Sequence, residues 1–139
     1  MATKIRAAIS RKNRYWIDKH RHYELKHFCL QYPIWKRTYA AIDELSSSLT
    51  TIGSIGSSNL PSDPTVKCVM KKAYYLERIS LIEQAAREAD EDLYLYILKA
   101  VTEDLSYTYL KARLEIPCSR DTYYDRYRRF FWLLSEARR

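Results

Sequence analysis

The sequence predicts an all-α protein, and three observations carry that prediction. The 139 residues include only two glycines and four prolines, so residues that interrupt helices are scarce. Apolar side chains recur at spacings of three and four along most of the chain, which places them on one face of a helix. Capping residues precede several of these runs, and no stretch keeps the apolar–polar alternation of a half-buried strand.

Length and composition narrow the class of protein further. The length fits one compact domain, or one small domain with an extension, and 47% apolar residues suffice for a core. No apolar run approaches the roughly 20 residues of a membrane span, and the N-terminus lacks the apolar core of a signal peptide, so we expect a cytoplasmic protein. Cys29, Cys68 and Cys118 are widely spaced, which predicts reduced thiols rather than a disulfide framework.

The net charge of +7 is unevenly distributed. Residues 1–37 hold ten basic and two acidic residues, a net charge of +8. Residues 38–110 hold six basic and eleven acidic residues (−5), and residues 111–139 hold eight basic and four acidic residues (+4). Two basic ends around an acidic middle favour contact of both ends with a polyanion. The alternative is that basic termini only improve solubility.

Residues 1–48 are predicted as basic N-terminal helices that form a hairpin or an arm. The first helix runs from Ser10 to about Gln31, with an irregular apolar side and a basic side. Pro33 suits the first turn of a second helix, which runs to about Ser48. The predicted buried positions of the second helix are Ile34, Tyr39, Ile42 and Leu45.

A flexible linker is predicted to follow. Residues 46–63 contain both glycines and seven serines and have no apolar period. We therefore place a linker at residues 49–62 and a helical domain at residues 63–139.

Two helices open this domain. Asp63 is a suitable N-cap and Pro64 suits the first helical position. The run that ends near Ala89 has the longest apolar period of the chain, carried by Val66, Val69, Met70, Ala73, Leu76, Ile79, Ile82 and Ala86. Asp90 is predicted to cap the next helix, whose apolar positions are Leu93, Ile97, Leu98 and Val101.

The C-terminal residues 106–137 predict a helix-turn-helix, which completes a four-helix bundle. Ser106 caps a short helix that ends at about Glu115, Pro117 interrupts it, and Ser119 caps a longer helix. Tyr123, Tyr127, Phe130 and Leu134 lie on one face of that longer helix, and its other faces are basic. This is the layout in which a second helix enters the major groove of DNA. Any two packed helices at the end of an all-α domain would give a similar pattern.

No catalytic, metal or cofactor site is predicted. His20 and His27 share one helix face while His22 and Cys29 share another, which is a poor arrangement for zinc. Cys118 precedes a helix N-terminus, a position that can lower a thiol pKa, but no histidine is near it in sequence. The acidic pairs suit caps and solvated surface, and no glycine-rich phosphate loop follows a strand. We therefore expect no enzyme and no cofactor.

Five segments together resemble a known family. They are Tyr32-Pro33, Ser62-Asp63-Pro64-Thr65, the run from Tyr96 to Thr102, the run from Ile116 to Tyr124, and Arg128-Arg129-Phe130-Phe131. In order and spacing they resemble the RinA/ArpU-like late transcriptional activators of phages and prophages. The resemblance covers about residues 32–139 and implies a DNA-binding half like region four of sigma factors, in the cytoplasm of a bacterial host cell.

The resemblance implies a DNA-binding role for ten residues. The hydroxyls of Ser119 and Thr122 are expected to meet phosphate near the helix N-terminus. Base edges would face Arg120, Asp121, Tyr124 and Arg128. The DNA backbone would be held by Lys111, Arg113, Arg126 and Arg129. For each arginine the alternative is a solvated or acid-paired surface residue.

The sequence therefore predicts a sequence-specific transcriptional regulator, an activator of phage or prophage genes. Its expected partner is double-stranded DNA. Host RNA polymerase, contacted through the acidic residues 77–92, and a second copy of the chain are further candidate partners, and no membrane is expected. Two alternatives stay open: a small-terminase-type phage DNA-packaging protein, and a protein-interaction module that binds no DNA.

Overall fold

The computed structural model of the chain describes residues 11–52 and 64–139, which form six α-helices and no strand. The all-α prediction is confirmed. Within these residues no helix is both long and apolar enough to cross a membrane. The helices are α1 (Lys19–Leu30), α2 (Tyr32–Ile52), α3 (Pro64–Ala89), α4 (Tyr94–Glu103), α5 (Tyr107–Leu114) and α6 (Arg120–Ala137).

The described residues divide into two compact units, and the division differs from the predicted one. The first unit comprises residues 11–31 and 81–139, and the second comprises residues 32–52 and 64–80. In the first unit α1 packs against α4 and α6. The Arg21 guanidinium donates to the hydroxyl and the carbonyl of Ser135, both at 3.1 Å. Helix α1 therefore belongs with the C-terminal helices, because its buried side chains find their partners at the other end of the chain.

Helix α1 begins nine residues later than predicted. The Asp18 carboxylate accepts from the backbone N–H of His20 at 2.9 Å and caps the helix there. Before it, the Asn13 side chain accepts from the N–H of Tyr15 at 2.9 Å within a turn. Such local side-chain bonds satisfy backbone N–H groups without a helix. Asn13 therefore favours a turn, and the helix begins only after Asp18. Ser10, the predicted start, lies outside the described residues.

The predicted linker is helical at its start. Helix α2 continues to Ile52, four residues past the predicted end at Ser48. The remaining linker residues and the predicted cap Asp63 lie outside the described residues. Helix α3 ends at Ala89, as predicted.

Two of the four buried positions predicted for α2 are wrong, and the other two, Tyr39 and Ile42, are partly buried. Ile34 and Leu45 are exposed by 53% and 52%, whereas Trp35 is buried. Spacing shows which side chains share a helix face, but it does not show whether another element covers that face. The first part of the apolar period of α3 is also exposed, at Val66, Val69, Met70, Ala73 and Leu76.

The core of the first unit follows the sequence pattern closely. Tyr123, Tyr127, Phe130 and Leu134 of α6 are all buried, as predicted, and Phe131 is buried beside them. The same core includes fully buried side chains of three further helices: Ile82 of α3, Ile97 of α4 and Leu110 of α5. Helix α6 therefore packs against the rest of the first unit through one wide face of aromatic and aliphatic side chains.

Candidate nucleic-acid interface

Two serine-capped helices and a short turn form the C-terminal motif. The Ser106 hydroxyl accepts from the N–H of Tyr109 at 3.1 Å, and the Ser119 hydroxyl accepts from the N–H of Thr122 at 3.2 Å. Glu115 adopts the left-handed conformation with φ of 53° and ends α5. Both predicted caps are confirmed, and the turn between the helices comprises residues 115–119.

The turn is fixed to α5 by side chains. The Tyr107 hydroxyl donates to the carbonyl of Cys118 at 2.5 Å, and the Lys111 ammonium donates to the carbonyl of Ile116 at 3.5 Å. Ile116 itself is fully buried, which anchors the middle of the turn in the core. The start of α6 is therefore held in one position relative to α5.

Replacing Tyr107 with phenylalanine tests this anchor. We expect Tyr107→Phe to lower the free energy of unfolding by about 1 kcal/mol, because the variant keeps the ring and loses one hydrogen bond. Denaturant unfolding measures the change. Tyr109→Phe is the matched control, since Tyr109 lies on the same helix and is 43% exposed. Equal unfolding midpoints for the two variants would contradict a role for the Tyr107 hydroxyl.

Six of the ten predicted DNA-binding residues are exposed together around this turn. We call them the reading surface. Arg120 donates to the Thr108 hydroxyl at 3.3 Å, and its guanidinium lies 5.2 Å from the centre of the Tyr107 ring. The side chain is thus oriented by α5 while most of it stays exposed. The reading surface comprises Lys111, Arg113, Ser119, Arg120, Asp121 and Thr122.

Tyr124 and Arg128 are only half exposed. The Tyr124 ring packs against the rings of Tyr123, at 5.0 Å between centroids, and Tyr127, at 6.0 Å. The Nε of Arg128 is buried without a hydrogen-bond partner. These two side chains are therefore not counted in the reading surface.

Arg126 and Arg129 form bonds within the protein. The sequence predicted instead that they contact the DNA backbone. The Arg126 guanidinium pairs with Asp90 at 2.9 Å and with Asp125 at 2.5 Å. Arg129 donates to the carbonyl of Glu88 and to the hydroxyl of Tyr15, both at 3.2 Å. Both arginines therefore tie α6 to the end of α3 and to the N-terminal segment. The sequence pattern could not reveal partners that are 36 to 114 residues away.

The N-terminal segment lies against α6 through Tyr15, a contact that the sequence pattern did not predict. Tyr15 is buried, and its ring centroid is 6.0 Å from that of Trp132. Beside this contact is a polar cleft of about 490 Å³, and its charged lining residues are Arg14, Asp90, Glu91, Asp125, Arg126 and Arg129. The available signal is the pair of aromatic residues Tyr15 and Trp16 directly after the cations Arg11, Lys12 and Arg14, which the sequence pattern distributes over two sides of a helix.

Burial shifts the pKa values of Cys118 and His22, and neither shift is in the direction that activates the group. Burial, and next the charge of Asp90, raise the pKa of the Cys118 thiol. A raised pKa is the opposite of what an activated cysteine requires. Burial, and next the charge of Lys26, lower the pKa of His22 to about 4. Among residues 11–52 and 64–139, no group of three or more His, Cys, Asp or Glu side chains is placed to hold a metal ion.

Comparison of the chain with protein-family models, with curated proteins and with solved structures found no match. The function is therefore inferred from the reading surface, its charge and the resemblance of the sequence segments.

Proposed function

We propose that this chain is a sequence-specific DNA-binding protein that reads duplex DNA with the start of α6. One observation carries the proposal. Two serine-capped helices, joined by a turn that Tyr107 and Ile116 fix, present the exposed Arg120, Asp121 and Thr122 at the outer end of α6. The buried stripe of α6 leaves this end free to enter a major groove.

Each exposed group has a suitable partner on DNA. The Ser119 hydroxyl caps the N–H of Thr122 and donates to the Thr122 hydroxyl at 3.0 Å, and the Thr122 hydroxyl together with the helix N-terminus suits a phosphate oxygen. The Arg120 guanidinium can pair bidentately with guanine, and the Asp121 carboxylate can accept from the amino group of cytosine. Lys111 and Arg113 add positive charge for the flanking backbone. Arg126 and Arg129 have a structural role in this proposal.

The resemblance of the sequence supports a biological role for this binding. We propose that the chain regulates phage or prophage genes, as an activator that acts with host RNA polymerase. The exposed acids Glu88, Glu91 and Asp92 lie near the turn between α3 and α4 and are the candidate contact with polymerase. The proposal needs no catalytic activity and no cofactor.

Arg120→Ala tests the proposed reading of bases. We expect it to weaken binding to the preferred duplex by about 5-fold to 150-fold, which corresponds to about 1–3 kcal/mol for a lost bidentate base contact. Fluorescence anisotropy with duplexes from the source genome and with random duplexes measures the change. The control is Arg139→Ala, which removes the same charge from an exposed side chain paired with Glu136 at the far end of α6.

Two results would contradict the proposal. One is the absence of duplex binding by the unaltered chain even at low salt. The other is an equal affinity of Arg120→Ala and Arg139→Ala for every duplex. Either result would favour the protein-interaction module.

A packaging protein of the small-terminase type is the second candidate, and the second unit supplies an observation in its favour. Val69, Met70 and Leu76 of α3 are exposed by 58%, 67% and 46%, as expected of side chains covered on assembly. Light scattering after gel filtration distinguishes the candidates. A ring of many copies favours packaging, and a monomer or a dimer favours the regulator.

A further inference from the structure

Residues 11–19 form an exposed basic segment, which we call the basic arm. It carries Arg11, Lys12, Arg14 and Lys19, all with exposed side chains. Asp18 is the one acid of the arm, and its carboxylate caps α1 by accepting from the N–H of His20. The arm therefore has an excess of three positive charges over its own acid, and its Arg14 also lines the cleft that holds Asp90, Glu91 and Asp125.

The arm is held against α6 at one point. Tyr15 is 8% exposed, its ring contacts Trp132 at 6.0 Å, and its hydroxyl accepts from Arg129 at 3.2 Å. Asn13 orders the backbone that follows it, because its side chain and its carbonyl accept from the N–H groups of Tyr15 and Trp16. The cations of the arm consequently have a defined position in the first unit.

Aromatic rings orient three of these cations. The guanidinium of Arg11 lies 5.5 Å from the centre of the Trp16 ring, that of Arg14 lies 4.9 Å from the Tyr15 ring, and the Lys19 ammonium lies 6.0 Å from the Tyr23 ring. A guanidinium that stacks on a ring keeps its N–H groups directed outwards, where they can donate to phosphate. In the described part of the chain none of these three cations forms an ion pair with a carboxylate within 4.0 Å.

Trp132, which the Tyr15 ring of the arm contacts, lies on the face of α6 that also carries Asp121 of the reading surface. Asp121, Asp125 and Trp132 are spaced by four and seven residues and therefore share one face. Trp132 is twelve residues beyond Arg120, about 18 Å along the axis at 1.5 Å per residue. The major groove is about 12 Å wide. Since 18 Å exceeds this width, the arm would lie outside the groove when the start of α6 is in it, and there the sugar–phosphate backbone is the part of DNA available for contact.

We propose that the basic arm binds the DNA backbone beside the groove that α6 reads, and so adds affinity without base preference. This inference rests on the proposed function. It assigns one role to each end of the chain: the arm provides contact with phosphates, and the start of α6 provides recognition of bases.

The test compares two triple variants in the full chain. The arm variant is Arg11→Gln/Arg14→Gln/Lys19→Gln. The matched control is Arg37→Gln/Lys67→Gln/Lys71→Gln, which removes three exposed cations from the second unit. Affinity for a preferred and for a random duplex is measured across a salt series, and circular dichroism with thermal unfolding confirms that both variants are folded.

We expect the arm variant to bind both duplexes more weakly and with a shallower salt dependence. The slope of log K against log salt should decrease in magnitude by about 2–3, since each phosphate contact contributes about 0.9. The ratio of affinities for the two duplexes should stay that of the unaltered chain. The control variant should keep the original slope.

Three results overturn the inference, and each can be distinguished from failure of the proposed function. The first is an arm variant with the same slope as the control while the unaltered chain binds DNA. The second is an arm variant that loses the preference between duplexes, because the arm would then read bases. The third is arm-dependent binding to vesicles of equimolar phosphatidylserine and phosphatidylcholine with no arm-dependent binding to DNA. If the unaltered chain binds no duplex at all, the proposed function fails as well.

Discussion

Replacement of Phe130 with alanine is expected to lower the free energy of unfolding of the protein by about 3–5 kcal/mol. The Phe130 side chain is fully buried, and its ring makes an edge contact with that of Phe131 at 4.9 Å between centroids. Truncation removes apolar burial and leaves a cavity in the face by which the first unit holds α6. Since domains of this size have total stabilities of about 5–15 kcal/mol, the loss is a large share of the whole.

Urea unfolding followed by circular dichroism measures this loss. The control is Leu95→Ala in the same unit, because Leu95 is 62% exposed and its truncation leaves no cavity. We expect the control to change the stability by about 0.5 kcal/mol or less. A Phe130→Ala midpoint at or above that of the control would contradict the buried position of Phe130.

Acid is expected to destabilise the protein through His22. The imidazole is 4% exposed, packs against the Phe131 ring at 4.8 Å between centroids, and has no hydrogen-bond partner at Nε2. Burial, and next the charge of Lys26, lower its pKa from 6.5 to about 4. Between these two values the unfolded chain binds a proton that the folded chain does not, so stability falls as the pH falls from 6.5 to 4. The full loss amounts to about 3 kcal/mol.

Unfolding free energies at pH 7 and at pH 4 reveal this contribution. We expect His22→Gln, which carries no titratable group, to lose about 3 kcal/mol less than the unaltered chain over this interval. His20→Gln is the control and should retain the full pH dependence, because His20 is exposed on the same helix. An identical pH dependence for the unaltered chain and His22→Gln would show that His22 is not the group responsible.

The parts of the fold that the sequence predicted depend on neighbours within one or two helical turns. Ser106 and Ser119 cap α5 and α6 through bonds that reach only three residues ahead. The stripe from Tyr123 to Leu134 is buried because its spacing matches the helical period. Local rules were sufficient for the helix-turn-helix, which is where the candidate site lies.

The parts that the sequence could not predict depend on distant partners. Ile34 and Leu45 share a face with apolar neighbours, yet nothing in their spacing shows that this face is exposed. Arg126 and Arg129 have the same local pattern as surface arginines, and only the fold brings Asp90 and Tyr15 to them. The charge and spacing of α6 therefore predicted a DNA-binding helix, but they could not separate Arg126 and Arg129, which bond within the protein, from the exposed Arg120.

Selection of binding sites from a random duplex library shows whether the start of α6 reads DNA sequence. We predict that the unaltered chain and Arg139→Ala enrich the same motif. Arg120→Ala should lose the preference for guanine at one position and keep the rest of the motif. Selection of no motif by the unaltered chain, or of an unchanged motif by Arg120→Ala, would contradict the account.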